Sequence, residues 1–139
     1  MNEEREKRAV RTLIVLDPIS GTDTSQEDEF EQTVRTYEEE HGLKLDATLA
    51  SVFDPAEAER AEMIVFDWGG MNLGNDLLGH QIRGLTRWAE DHPSALVIIR
   101  SMLSWNELQD EIRDEQLPAL PNVIQDDGRM RIPAWWIAA

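Results

Sequence analysis

The stretch that most constrains what this chain can fold into runs from Glu62 to Ser101, EMIVFDWGGMNLGNDLLGHQIRGLTRWAEDHPSALVIIRS. Met63 to Phe66 is a short apolar run that reads as a strand. Gly69 and Gly70 follow it in a loop, and Asn72 or Asn75 caps the segment after that. There Leu78, Ile82, Leu85 and Ala89 recur on one helical stripe, flanked by Leu77 and Trp88, with Arg83, Arg87 and Glu90 facing outward. His92-Pro93 ends the helix, because the residue before proline is pushed out of the helical region. Leu96 to Ile99 is then a second and more hydrophobic strand, which belongs in the interior of a sheet. Strand, helix and strand in this order form one complete βαβ unit, and such units imply parallel pairing.

The flanking segments extend the pattern. Thr12 to Leu16 is a continuous apolar run stopped by Asp17-Pro18, as expected of a strand buried on both faces. A helix opens near Thr24, where Thr24 and Glu27 have capping-box spacing. Its apolar stripe is Phe30, Val34 and Tyr37, and Gly42 stands at its end. Ala47 to Phe53 reads as a strand, and Asp54-Pro55-Ala56-Glu57 opens a short helix reaching to about Ala61. A further helix begins at the capping box Ser104 to Glu107 and stops by Pro118, and Asn122 to Gln125 makes a fifth strand. Asp127-Gly128 is a hairpin signal that pairs this strand with an antiparallel one from Arg129 to about Ile132, confined to an edge by Pro133. The expectation is a three-layer α/β sandwich. Its largely parallel five-stranded sheet has the order 2-1-3-4-5, seen in flavodoxin- and receiver-like folds, with a C-terminal antiparallel edge strand. Residues 1–11 read as a charged arm and 12–139 as one domain.

Composition narrows function more than it defines it. Among 139 residues, 28 acids face 13 bases, for a formal charge of −15. A chain so acidic is repelled by nucleic acid and by anionic lipid, so neither is expected as a direct partner. Solubility or adaptation to a salty cytoplasm accounts for such a charge; so does docking on a basic protein surface, as an inhibitor or nucleic-acid mimic. That profile is common among small proteins of viruses and mobile elements. Cysteine is absent, which excludes disulfides and thiolate chemistry and fits a reducing cytoplasm. No apolar run approaches the length of a membrane span, and the N-terminus lacks the apolar core of a signal peptide.

Motifs for catalysis are missing. His41, His80 and His92 show no metal-ligand spacing, and no G-x-S-x-G occurs. Gly69 and Gly74 have P-loop spacing, but Asn75-Asp76 replaces the Lys-Ser/Thr pair, so Trp68, Gly69 and Gly70 read as a tight strand-to-helix turn. Ligands of this fold class sit at the carboxyl ends of the strands, where the sequence puts Asp17, Asp54, Asp67, Ser101 and Asp126 or Asp127. Asp17 and Asp67 could together hold Mg²⁺, with Asp67 as phosphoacceptor and Ser101 beside it. In this the chain resembles phosphoacceptor receiver domains, but it departs from them twice. Strand 1 ends in one acid instead of an adjacent pair, and Gln125-Asp126 stands where a lysine would follow strand 5. The same acids also suit plain capping of helices and turns.

Two function classes follow. The first is a non-enzymatic interaction protein without cofactor, whose contact residues are Glu38, Glu39 and Glu40, crowded at a helix C-terminus against the macrodipole, and the aromatic pair Trp135 and Trp136. The apolar tail, Ala134 to Ala139, either folds over the core or docks a partner, and a homodimer that buries Trp136 is one form of the latter. The second class is the Mg²⁺-binding or phosphoacceptor domain built on Asp17 and Asp67.

Overall fold

A computed structural model describes residues 9–16, 26–50, 53–68, 75–101, 120–126 and 130–138. Five strands make one sheet: β1 (Ala9–Leu16), β2 (Lys44–Ala50), β3 (Met63–Trp68), β4 (Leu96–Ser101) and β5 (Val123–Gln125). Their order is β2-β1-β3-β4-β5 and every pairing is parallel. This is the doubly wound, flavodoxin-type order that the alternating elements imply.

The two faces of the sheet divide by residue parity, as a pleated strand requires. Leu13, Val15, Ile64, Phe66, Val97 and Ile99 point to one face, where α2 (Pro55–Ala58) and α3 (Asn75–Asp91) pack. Ile14, Leu16, Met63, Val65, Leu96 and Ile98 point to the other, where α1 (Gln26–His41) and α4 (Ala134–Ala138) pack. Burial on both faces makes β1, β3 and β4 continuous apolar runs. Edge strand β2 instead alternates exposed and half-buried residues up to Ala50.

The helices form for local reasons that tertiary contacts complete. α1 lays Phe30, Val34 and Tyr37 on the sheet, Tyr37 fully buried. Gly42 ends it at φ +66°, with its N–H donating to Glu38 O at 3.1 Å. Asp54 caps α2 by accepting from Ala56 N–H at 3.0 Å. α3 buries Ile82, Leu85, Trp88 and Ala89, so Trp88 belongs to the core and does not merely flank it. Asn122 closes its C-terminus, its side-chain amide donating to Ala89 O at 3.0 Å and His92 O at 3.1 Å.

Strand limits differ from the sequence expectation. β1 starts at Ala9, ahead of the apolar run, because Ala9, Val10 and Arg11 pair with Lys44, Leu45 and Asp46. β2 accordingly runs from Lys44 to Ala50, earlier than expected.

One expectation is overturned. The described residues contain no antiparallel edge strand: Met130, Arg131 and Ile132 are irregular, and α4 follows them. Asp127 and Gly128 lie outside the described residues, as do 102–119 and the capping box at Ser104. The physical reason is Trp136. Its ring is completely buried on the α1 face, and its indole N–H donates to Glu62 O at 3.1 Å. Burying so large a ring outweighs the few hydrogen bonds a short edge strand would add. The turn that delivers it begins at Pro133, whose carbonyl accepts from Trp136 N–H and Ile137 N–H. No helix among the described residues is long and apolar enough to cross a membrane.

Candidate functional site at the strand ends

The parity that builds the core also builds the polar cluster beyond it. On β3 the series Met63, Val65 continues to Asp67; on β4 Leu96, Ile98 continues to Arg100; on β5 Ile124 continues to Asp126. Asp67 pairs in register with Leu16 on one side and Arg100 on the other. Asp126 is held by its backbone N–H, which donates to Ile99 O at 2.9 Å. Three charged side chains thus follow the apolar layer on the α1 face.

Arg100 stands between the two acids. Its Nε lies 3.9 Å from Asp67 Oδ2 and 3.7 Å from Asp126 Oδ2. Tyr37 closes the cluster, its hydroxyl donating to Asp126 Oδ2 at 2.8 Å, while the Arg100 guanidinium lies 5.7 Å from the Tyr37 ring centre. His41 also stacks on the Tyr37 ring, with ring centres 5.4 Å apart. Burial pushes the Tyr37 phenol well above its ordinary range; the Arg100 charge opposes this, and Asp126 and Asp67 reinforce it. The phenol is therefore a fixed neutral donor. With two carboxylates, one guanidinium and a neutral phenol, the cluster carries net charge −1. It offers a phosphoryl group little, since the guanidinium is already shared between two acids.

The other sequence-derived residues are dispersed. Asp17, Gly69 and Gly70 lie outside the described residues. Trp68 and Ser101 are register partners at the ends of β3 and β4, and only their backbones are described. Asp54 is a helix cap. Glu38 has a local structural role, its Oε2 accepting from Leu45 N–H at 3.0 Å where β2 begins. Glu39 and Glu40 are exposed. Trp135 is 42% exposed, whereas Trp136 is enclosed by its own chain. Among the described residues no group of three or more His, Asp or Glu is placed to hold a metal ion. Mg²⁺ at Asp67 would share that carboxylate with Arg100.

Sequence reasoning missed Arg100 and the polar role of Tyr37. Arg100 could have been found by extending the β4 alternation two residues past Ile98. Tyr37 could not, because its hydroxyl partner is 89 residues away.

The fold and strand-end cluster define a doubly wound α/β domain with an acidic, internally compensated rim. Comparison with known protein families, with curated proteins and with solved structures finds no significant match to this chain.

Proposed function

We propose that this chain is a non-enzymatic interaction protein that docks on a basic protein surface and thereby blocks or regulates it, as a nucleic-acid-like polyanion would. The observation that carries this reading is the outward face of α1. Glu27, Asp28, Glu31, Glu39 and Glu40 are all exposed there, interrupted by a single base, Arg35. From Glu27 to Glu40 the helix sets these carboxylates along roughly 20 Å, the scale of a protein–protein contact. Such a row steers a cationic partner from a distance and fixes its register on contact. Trp135 adds an aromatic anchor. It projects from α4, which covers the same sheet face as α1, so charge and ring are offered on one side of the molecule. Glu38 is left out of this surface because it holds the start of β2. A homodimer through the tail would draw on Trp135, since Trp136 is already enclosed.

The alternative, an Mg²⁺-dependent phosphoacceptor using Asp17, Asp67 and Ser101, gains a nearby cation in Arg100. It stays subordinate because that cation is shared with Asp126. Capture on immobilised protein from a host lysate, at roughly 50 mM and 500 mM salt, tests the main reading. Basic proteins retained at low salt and released at high salt support it. Retention of no basic protein at either salt defeats it.

A further inference from the structure

On the sheet face away from α1, a groove of about 570 Å³ opens between α2 and α3. Its volume falls in the range of small-molecule sites, roughly 300–1,000 Å³. Phe53, Pro55, Ala56 and Trp88 supply apolar walls, Gln81 and His92 supply polar atoms, and the exposed Glu59, Arg87 and Asp91 complete the lining with charges of both signs. Three rings meet there: Phe53 stands edge-on to Trp88, with ring centres 6.3 Å apart and an interplanar angle of 76°, and His92 stacks on Trp88 with ring centres 4.3 Å apart.

Three details set this groove apart from a packing gap. First, the Trp88 indole N–H is buried and, among the described residues, has no hydrogen-bond partner, although Trp88 is only 4% exposed. An unpaired buried donor destabilises a fold by about 1–3 kcal/mol, so the wall of the groove is not packed for stability alone. Second, Gln81 Oε1 accepts from Phe53 N–H, which leaves the amide NH₂ as what this side chain can offer a ligand. His92 complements it: Nδ1 donates to Trp88 O at 2.8 Å, which leaves Nε2 as the ring nitrogen able to accept. Third, Gly84 sits inside α3, where glycine is disfavoured by about 1 kcal/mol relative to alanine. No contact demands it. A Cβ there would meet Phe53 Cδ2 at an ordinary 3.8 Å, so the glycine's effect is to keep the groove wide.

We infer that the groove between α2 and α3 is a binding site for an uncharged planar heteroaromatic ring carrying a hydrogen-bond acceptor beside a donor, such as a lactam. The ring lies against Phe53 and Trp88. Its acceptor takes hydrogen from the Gln81 NH₂, and its donor faces His92 Nε2. The site is independent of the acidic face of α1, which lies across the sheet.

The test uses the full chain and 2-quinolone, an uncharged bicyclic lactam. Titration followed by the indole N–H resonances should saturate at one ligand per chain and move the Trp88 signal. Gly84→Leu, which extends a side chain into the groove, should weaken binding by about tenfold or more. Gly84→Ala, adding only an unstrained Cβ, should bind within a few-fold of the parent and confirm that a helix-favouring change leaves the fold intact. The inference is overturned by a parent protein that shows no saturable binding. It is overturned equally by a folded Gly84→Leu protein that binds as the parent does.

Discussion

Trp136 gives the sharpest prediction about how this fold is held. The ring is entirely buried on the α1 face, among Val65, Ile98 and Tyr37, and its N–H donates to Glu62 O. Trp136→Ala removes the whole ring and leaves a cavity, for which buried tryptophans lose about 3–5 kcal/mol. That is about a fifth or more of the stability of an ordinary small domain, about 5–15 kcal/mol. Trp136→Phe separates the contributions. It keeps an aromatic ring and removes the donor, but Glu62 O still accepts from Leu96 N–H at 3.0 Å. No carbonyl is orphaned, so the lost bond accounts for about 1 kcal/mol, with a smaller void adding to it. Trp135→Ala, at an exposed position, should stay within about 0.5 kcal/mol of the parent. Urea unfolding measures all three. The midpoint should fall most for Trp136→Ala, less for Trp136→Phe and least for Trp135→Ala, with slope unchanged. Equal effects of Trp135→Ala and Trp136→Ala would refute the reasoning, as would a loss below about 1 kcal/mol for the latter. A parent midpoint that rises with protein concentration would refute it differently, by showing that a second copy buries the ring.

Four further outcomes follow from single residues and from the net charge. Tyr37 is the only tyrosine, so absorbance at 295 nm reports its ionisation alone. Its folded-state pKa is raised, so it contributes stability fully present below the unfolded value, about 10, and lost as pH rises above that. The phenol should ionise only together with alkaline unfolding, and reversible ionisation near 10 with native circular dichroism would contradict its burial. Gly42→Ala should cost about 1 kcal/mol because φ is +66°, and Asp54→Ala about 0.5–2 kcal/mol for the lost cap, both read by thermal unfolding. Added neutral salt should raise the melting temperature by screening a net charge of −15, and a fall would show that attractive pairs dominate.

How much was legible in the sequence depends on which scale of interaction decided each element. The strands β1, β3 and β4 were readable because burial on both faces leaves no room for polar residues, and the order of elements then leaves few topologies. Gly42 and Asp54-Pro55 were readable because caps are settled within one turn of backbone. The antiparallel edge strand failed for the opposite reason. Asp127-Gly128 is a local signal, whereas Trp136 answers to a core assembled from residues as distant as Val10. Edge strand β2 was misplaced because its register is set by pairing with Ala9 to Val15, which its own composition does not record. Of the strand-end cluster, Asp67 was identified from its position after an apolar run. Arg100 went unnoticed because the hydrophobic run of β4 stops at Ile99, one residue before it.

The central claim is that the acids on the outward face of α1 bind a basic partner. The most direct measurement compares two variants with the same change in charge: Glu31, Glu39 and Glu40 to Gln, and Glu57, Glu59 and Glu90 to Gln across the sheet. All six side chains are exposed. With partner captured by the parent protein, the account predicts an affinity loss of about tenfold or more for the first triple and little change for the second. Equal losses from both triples would reduce the interaction to bulk charge and contradict a specific acidic face.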